Sequence, residues 1–406
     1  MTTCEIAPAI DASALERPGL LFYCQHSLGL GHLARSLQLA AGLVEHFDVT
    51  LLNGGRLPAG TVVPAGVHVV NLPPLGHGPD HALISHDTNI TVAQAMTART
   101  GIILQHMSRR PAALLIELFP FGRKKFDFEL RPLLEAVDAM GDERPVVVCS
   151  LRDILVGRRK QAEQDERASR IVNRFFDAVV VHADPRFARL DESFHPQTPL
   201  SVPVYYTGFV AARSAPPAFV RPDVHRVVVS AGGGMVGGPL FHAAVAAFPK
   251  IRQRSGLDML IVAGPFVPES TFAQLSSVAA SIDGLNVEHH VPDLHEEIRR
   301  SAVTISQCGY NTTMDILRAG TPAIVVPYAA NGEDEQTRRA ERLERAGVLR
   351  VLPADGCDGS SLADSVLDLV GTTPASVQLD LDGRERTATI IHQLASARPV
   401  VVGQPT

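Results

Sequence analysis

Short apolar runs alternate with amphipathic stretches along most of the chain. Leu20–Tyr23 is apolar throughout and leads into a glycine turn. His32–Glu45 then places apolar residues at helical spacing, and Val49–Leu52 is the next apolar run. Val67–Asn71, Ala113–Ile116, Pro145–Cys149 and Ala178–His182 repeat the theme. A strand covered on one face alternates apolar and polar residues, whereas a strand covered on both is apolar at nearly every position. These runs are of the second kind, and the helical stretches between them supply the covers. The pattern predicts an α/β fold with parallel sheets.

The texture breaks once. Ala211–Arg226 holds three prolines and little periodicity, the composition of a linker. The alternation restarts at Val227–Ser230 and continues through Met259–Val262, Val287–His290, Val303–Ile305 and Ala323–Val326. A chain of 406 residues is long for one core and sufficient for two of about 200 residues each. The expected organisation is a Rossmann-like domain over residues 1–210, a linker over 211–226 and a second Rossmann-like domain over 227–383. Residues 384–406 complete it, with Arg384–Ala395 a helix packing back across the domain junction.

Composition narrows the function. Net charge is −6, Trp is absent and aromatics make up 5% of the chain, so neither a basic field nor stacking platforms favour nucleic acid. Cys4, Cys24, Cys149, Cys308 and Cys357 are scattered and form no metal-binding or disulfide pattern, which points to reduced thiols in a cytoplasmic protein. The first residues lack the long apolar run of a signal peptide, and no membrane-spanning stretch is expected. Oligomeric state is not legible.

Each half opens with strand, glycine-rich turn and helix. The first turn is Gly29-Leu30-Gly31-His32-Leu33-Ala34-Arg35; Ala34 replaces the third glycine of the dinucleotide fingerprint, which argues against that reading. Glycines let backbone N–H groups approach a ligand, and the helix start adds a positive dipole end. His32 sits at that start, beyond the strand ends, where a neutral imidazole can act as general base. The plain alternative is a tight turn with a helix-start histidine. The second turn, within Ser230–Gly238, has five glycines in seven positions. Gly232, Gly233 and Gly234 form a side-chain-free cradle for diphosphate oxygens, or simply a connecting loop.

The third turn is the most informative. In Gln307-Cys308-Gly309-Tyr310-Asn311-Thr312-Thr313-Met314-Asp315, a glycine turn leads into a polar helix start. Asn311 and Thr312 are placed to donate to phosphate beside the helix N–H groups. Asp315, one turn on, suits ribose hydroxyls. Gly320-Thr321-Pro322 ends the helix. After the next strand, Glu335 and Gln336 offer an acid and an amide for vicinal sugar hydroxyls; alternatively they begin a solvated helix. Asp380-Leu381-Asp382 reads as a solvated loop rather than a metal site.

This third segment resembles the donor signature of inverting GT-B glycosyltransferases, read H-C-G-W-N-S-x-x-E and ending in D/E-Q. The second half also looks like that of the bacterial enzymes that add N-acetylglucosamine to the lipid-linked cell-wall precursor, and Gly29-Leu30-Gly31-His32 is similar to their first glycine turn. Specific motif matches run from Ser306 to Arg342. The resemblance implies two Rossmann-like domains facing a central cleft and metal-independent transfer from a nucleotide-diphosphate sugar, UDP-linked, to a hydroxyl acceptor. It assigns His32 as base, Gly31 and Gly232 to Gly234 to the diphosphate region, and Gln307, Gly309, Asn311 and Thr312 to phosphate. Asp315 falls to ribose, and Glu335 and Gln336 to the donor sugar. Gln307 departs from the signature histidine, Tyr310 from Trp and Asp315 from Glu.

The acceptor side is open. His86 and Asp87 belong to a polar stretch, Asp80–Asn89, and Glu117 and Arg123 to Ile116–Lys125, which ends in three cations. Glu117 is a candidate for orienting His32 or an acceptor hydroxyl. The three cations face an anionic acceptor or a membrane surface, or are solvated residues at a helix start. A soluble natural product or an envelope glycan fits the acceptor role. The G-x-G-H-x-x-R turn is also similar to that of nucleotide-sugar hydrolases, in which water replaces the acceptor. A nucleotide-sugar 2-epimerase and a non-catalytic sugar-nucleotide binding protein are the other readings.

Overall fold

The computed structural model of the protein describes residues 17–26, 31–58, 60–78, 82–157, 160–211, 225–329 and 334–397. The first domain runs β1 (Gly19–Cys24), α1 (Gly31–Leu43), β2 (Asp48–Asn53), β3 (Val67–Asn71), β4 (Leu75–His77), β5 (Leu83–Ser85), α2 (Val92–Met107), β6 (Ala113–Glu117), α3 (Asp127–Asp138), β7 (Val146–Arg152), α4 (Gln161–Phe175), β8 (Ala178–His182) and β9 (Val204–Tyr206). Seven of these strands form one sheet in the order β3-β2-β1-β6-β7-β8-β9, with every pairing parallel. β4 and β5 make an antiparallel hairpin of their own.

The second domain runs β10 (Arg226–Ser230), α5 (Gly238–Ser255), β11 (Asp258–Val262), α6 (Glu269–Ala279), β12 (Leu285–Glu288), α7 (Leu294–Arg299), β13 (Val303–Ser306), α8 (Tyr310–Ala319), β14 (Ala323–Val325), α9 (Glu335–Arg345), β15 (Arg350–Val351) and α10 (Gly359–Leu369). Its sheet is also wholly parallel, in the order β12-β11-β10-β13-β14-β15. The last helix, α11 (Gly383–Ser396), returns to the first domain and packs on α1 and β7.

The all-apolar runs follow from double coverage. Leu20, Phe22 and Cys24 of β1 lie in a core shared with α1 and α11, while Leu21 and Tyr23 lie in a core shared with α2, α3 and α4. Successive residues of a strand face opposite ways, so both sets must be apolar. Ala388 and Ile391 of α11 are buried in the α1-side core. The end of the chain thus covers the beginning of it. Asp380-Leu381-Asp382 forms that crossing: Phe209 N–H donates to Asp380 O at 2.7 Å, and Asp380 N–H to Asp184 Oδ2 at 3.0 Å. Asp380 also pairs with Arg386. This segment is therefore a structural tie rather than a solvated loop, because the crossing needs its backbone groups satisfied.

Sheet order reverses direction between β1 and β6 in the first domain and between β10 and β13 in the second. Open α/β sheets bind ligands beyond the carboxyl ends of strands at such points.

Candidate active site

Glu117 ends β6 and His32 lies in the first turn of α1, after β1, so the first switch point brings them together. His32 Nδ1 lies 2.6 Å from Glu117 Oε1. Arg35, one turn along α1, donates from Nη2 to the same oxygen at 2.6 Å, and Arg123 Nη2 lies 3.5 Å from Oε2. Glu117 is fully buried. Burial by itself would raise the Glu117 carboxyl, but His32, Arg123 and Arg35 outweigh it and hold it well below the usual carboxylate range. Burial also disfavours a charged imidazole and pushes the His32 pKa from 6.5 down to about 3, against the pull of Glu117. The pair is therefore a carboxylate and a neutral imidazole. The short contact places the proton on Nδ1, so Arg35 Nη2, 3.3 Å from Nδ1, is a neighbour and not a donor to it. Nε2 keeps its lone pair and has no hydrogen-bond partner among the described residues, on a side chain 20% exposed. A histidine held in this tautomer can accept a proton.

The loop after Glu117 is shaped to return Arg123 to it. Leu118 and Arg123 have φ of 66° and 56°, left-handed backbone that costs roughly 1–3 kcal/mol per non-glycine residue. Leu118 N–H is pinned to Ser150 O at 2.9 Å, and Gly122 N–H to Leu118 O at 2.7 Å. Beneath the first-domain crevice, fully buried Arg99 holds both oxygens of Glu129, at 2.8 and 2.6 Å. It also donates to Gln25 Oε1 and to the carbonyls of Gly54 and Pro73. This network ties together the segments that follow β1, β2 and β3. Nothing in the local sequence around Arg99 announces it.

The second switch point gathers the other two glycine turns. Gly232 and Gly234 have φ of 57° and 87°, and a Cβ at Gly234 would lie 2.0 Å from Ala263 O. A Cβ at Gly232 or at Gly309 would meet nothing within 4 Å, so both face open space. α5 and α8 start from Gly237 and Gly309 with no side-chain cap, leaving their first N–H groups for another acceptor. Gln307 Nε2 donates to Val236 O at 3.4 Å, joining the two turns. Thr312 is buried. Asp315 is half-buried, and burial pushes its carboxyl up to about 7.

Several contacts cross between the domains. Asn311 Nδ2 donates to Gly31 O at 3.1 Å, which brings the starts of α8 and α1 together. The Tyr310 hydroxyl donates to His182 O and accepts from Val210 N–H, both at 2.9 Å. An indole N–H is a donor only and could not serve both partners, which gives tyrosine a structural role at the signature's Trp position. The Tyr310 ring lies near two guanidinium groups, Arg35 at 5.2 Å and Arg339 at 5.9 Å. Arg339 of α9, fully buried, makes two 2.8 Å bonds to buried Asp153 and a third to Cys308 O. Glu335 pairs with Arg152 at 2.5 Å, and Gln336 Oε1 accepts from Tyr328 N–H at 3.1 Å. Both proposed sugar contacts thus have protein partners here.

The acceptor candidates divide. Glu117 and Arg123 surround His32. Asp87 shapes its own turn by accepting from Asn89, and exposed His86 lies over Gly76. Among the described residues no hydrogen bond or ion pair joins His86 or Asp87 to the His32–Glu117 pair. Gly29 and Leu30 of the first turn, Asp80 and His81, Ala330 to Glu333 and most of the linker lie outside the described residues. Asp153 and Arg339 carry no local signal in the sequence, and Arg35 enters there only as the last residue of the G-x-G-H-x-x-R turn. Its place on the buried face of α1 is a second local signal for Arg35. Among the described residues no group of three or more His, Cys, Asp or Glu is arranged to hold a metal ion, and no helix is long and apolar enough to cross a membrane.

Residues 228–390 match the glycosyltransferase family 28 C-terminal domain. A UDP-N-acetylglucosamine–N-acetylmuramyl-(pentapeptide) pyrophosphoryl-undecaprenol N-acetylglucosamine transferase of Solibacter usitatus is 28% identical over 160 residues. That match covers 38% of this chain and 42% of the relative, less than half of its length. The crystal structure of the calicheamicin glycosyltransferase CalG4 superposes with a TM-score of 0.56 at 15% identity, covering 93% of this chain and 95% of that one. Acinetobacter baumannii MurG superposes with a TM-score of 0.53 at 14% identity, covering 93% and 99%. At these identities the likeness is one of fold. The chain is a GT-B-fold protein whose residues 228–390 match a glycosyltransferase family 28 C-terminal domain.

Proposed function

We propose that this protein is an inverting glycosyltransferase, cytoplasmic, that moves a sugar from a nucleotide-diphosphate donor, UDP-linked, to a hydroxyl acceptor without a metal. The His32–Glu117 pair at the first switch point carries the reading, because it faces the start of α8 through the Asn311–Gly31 contact. The acceptor oxygen attacks the anomeric carbon as His32 Nε2 takes its proton, and the bond to the diphosphate breaks on the opposite face. The glycine turn at 231–237 and the uncapped start of α8 receive the departing diphosphate. Asp315 holds the ribose, and Glu335 and Gln336 reach the sugar by exchanging their present partners. The acceptor is a small molecule or a glycan, and no nucleic acid is involved.

A thermal-shift panel of nucleotides and nucleotide sugars identifies the donor, since a ligand that binds only the folded state raises apparent stability. Transfer is then scored by mass spectrometry with candidate acceptors. Free sugar released equally fast without any acceptor assigns a hydrolase, and a changed donor stereochemistry without transfer assigns an epimerase. Donor binding with no turnover in any screen assigns a binding protein.

A further inference from the structure

Beside the His32–Glu117 pair lies a cavity of about 230 Å³ lined by His77, Arg123, Lys124, Lys125, Phe126 and Gln164. None of its lining residues is acidic, and three of them are permanent cations. Lys124 and Lys125 are exposed and enter no ion pair among the described residues. Arg123 meets Glu117 only at 3.5 Å, and its Nε and Nη2 are buried without a hydrogen-bond partner. Glu117 is already engaged on its other oxygen by two contacts of 2.6 Å, from His32 and Arg35. Positive charge is therefore in excess on this side of the pair.

We infer that this cavity is an anion subsite that takes a phosphate group carried by the acceptor; this rests on the glycosyltransferase reading of the cleft. Phosphate matches the site on two counts. Its two negative charges answer three cations, and its several oxygens can accept from the Arg123 guanidinium and from two ammonium groups at once. Arg123 contacts Glu117 and lines the cavity, so an acceptor anchored there is two side chains, Arg123 and Glu117, from the proposed base. A soluble phosphate ester and a lipid-borne phosphate offer the same chemistry to these residues.

The test uses the full-length protein, saturated with whichever nucleotide diphosphate the thermal-shift panel selects, so that the glycine turns are filled. Phenyl phosphate is titrated by calorimetry, and binding to vesicles of phosphatidylcholine with and without phosphatidic acid is measured by sedimentation. The comparison is with Lys124→Glu/Lys125→Glu, a change of two exposed side chains. We expect phosphate binding to weaken at least about tenfold in this variant while nucleotide-diphosphate affinity stays within about twofold. Lysine-dependent binding of phenyl phosphate alone identifies a soluble acceptor; lysine-dependent binding of phosphatidic acid vesicles alone identifies a lipid-borne one. Absence of binding to either probe, or binding indifferent to the double charge reversal, overturns the subsite. If no nucleotide diphosphate binds, the glycosyltransferase reading fails, and lysine-dependent phosphate binding to the unliganded protein then shows an anion site while overturning its assignment to a transferase acceptor.

Discussion

Glu117→Gln keeps the size of the buried side chain and removes its charge. The carboxylate accepts hydrogen bonds of 2.6 Å from both His32 and Arg35, and bonds to a charged acceptor contribute about 1.5–3 kcal/mol each. Arg35 and Arg123 also lose their counter-ion, so unfolding free energy should fall by about 3–5 kcal/mol, the range for breaking a buried pair. The chemical effect is separate. A glutamine that turns its amide toward His32 makes Nδ1 the acceptor and moves the ring proton to Nε2, where it blocks proton uptake. Turnover should drop by about 10²–10⁴-fold, the usual contribution of general base catalysis. Donor affinity should hold, because the glycine turn at 231–237 and the start of α8 belong to the other domain. The measurements are kcat and KM with the identified donor, donor titration and urea unfolding, with Glu117→Asp as a variant that keeps the charge. A Glu117→Gln protein that folds, binds donor and turns over within about threefold of the wild type would refute the dyad.

Three further outcomes follow from the geometry. Arg339→Met strands Asp153 as a buried unpaired charge and should cost about 3–5 kcal/mol in urea unfolding, partly recovered by adding Asp153→Leu; a loss below about 1 kcal/mol would mean that the pair is not buried in solution. Stability should fall on acidification below pH 6.5. His32 and His182 have folded pKa values near 3 against 6.5, so the unfolded state binds more protons between those values, and each contributes up to about 1.36 kcal/mol per pH unit. Glu117, also depressed, adds a loss of the same sign below 4.5; an unfolding midpoint unchanged between pH 7 and pH 5 contradicts the assignment. Gly234→Ala combines a φ of 87° with a Cβ 2.0 Å from Ala263 O, so it should cost well over about 1 kcal/mol and weaken nucleotide-diphosphate binding, whereas Gly238→Ala, which meets open space, should leave stability within about 1 kcal/mol. Equal effects from the two alanines would show that the turn tolerates a Cβ.

Much of the fold is legible in the chain itself. The runs read as strands from Leu20 to Ala178 and from Val227 to Ala323 all overlap strands of the two sheets, most closely at the central ones, where burial on both faces writes itself into every residue; the edge strands β3 and β12 are partly exposed, and the run Val287–His290 meets β12 only at its end. β4, β5, β9 and β15 are only two or three residues long and carry no period, so they were missed. The glycine turns were visible for a related reason: a backbone that must approach something closely excludes side chains locally.

The chemistry of His32 was not local. Its partner Glu117 lies 85 positions away, and whether that carboxylate orients a base or merely ends a strand depends on β6 lying beside β1. Likewise Arg339 and Asp153 read as ordinary charges, and Arg35 as a motif residue with no visible partner, until packing buries them at 0–2% exposure and pairs them. Periodicity reports what a residue faces, and the chain determines that by itself. Distance and dielectric determine protonation and pairing, and only the tertiary structure, by sheet order and by the crossing that returns α11 to the first domain, sets those.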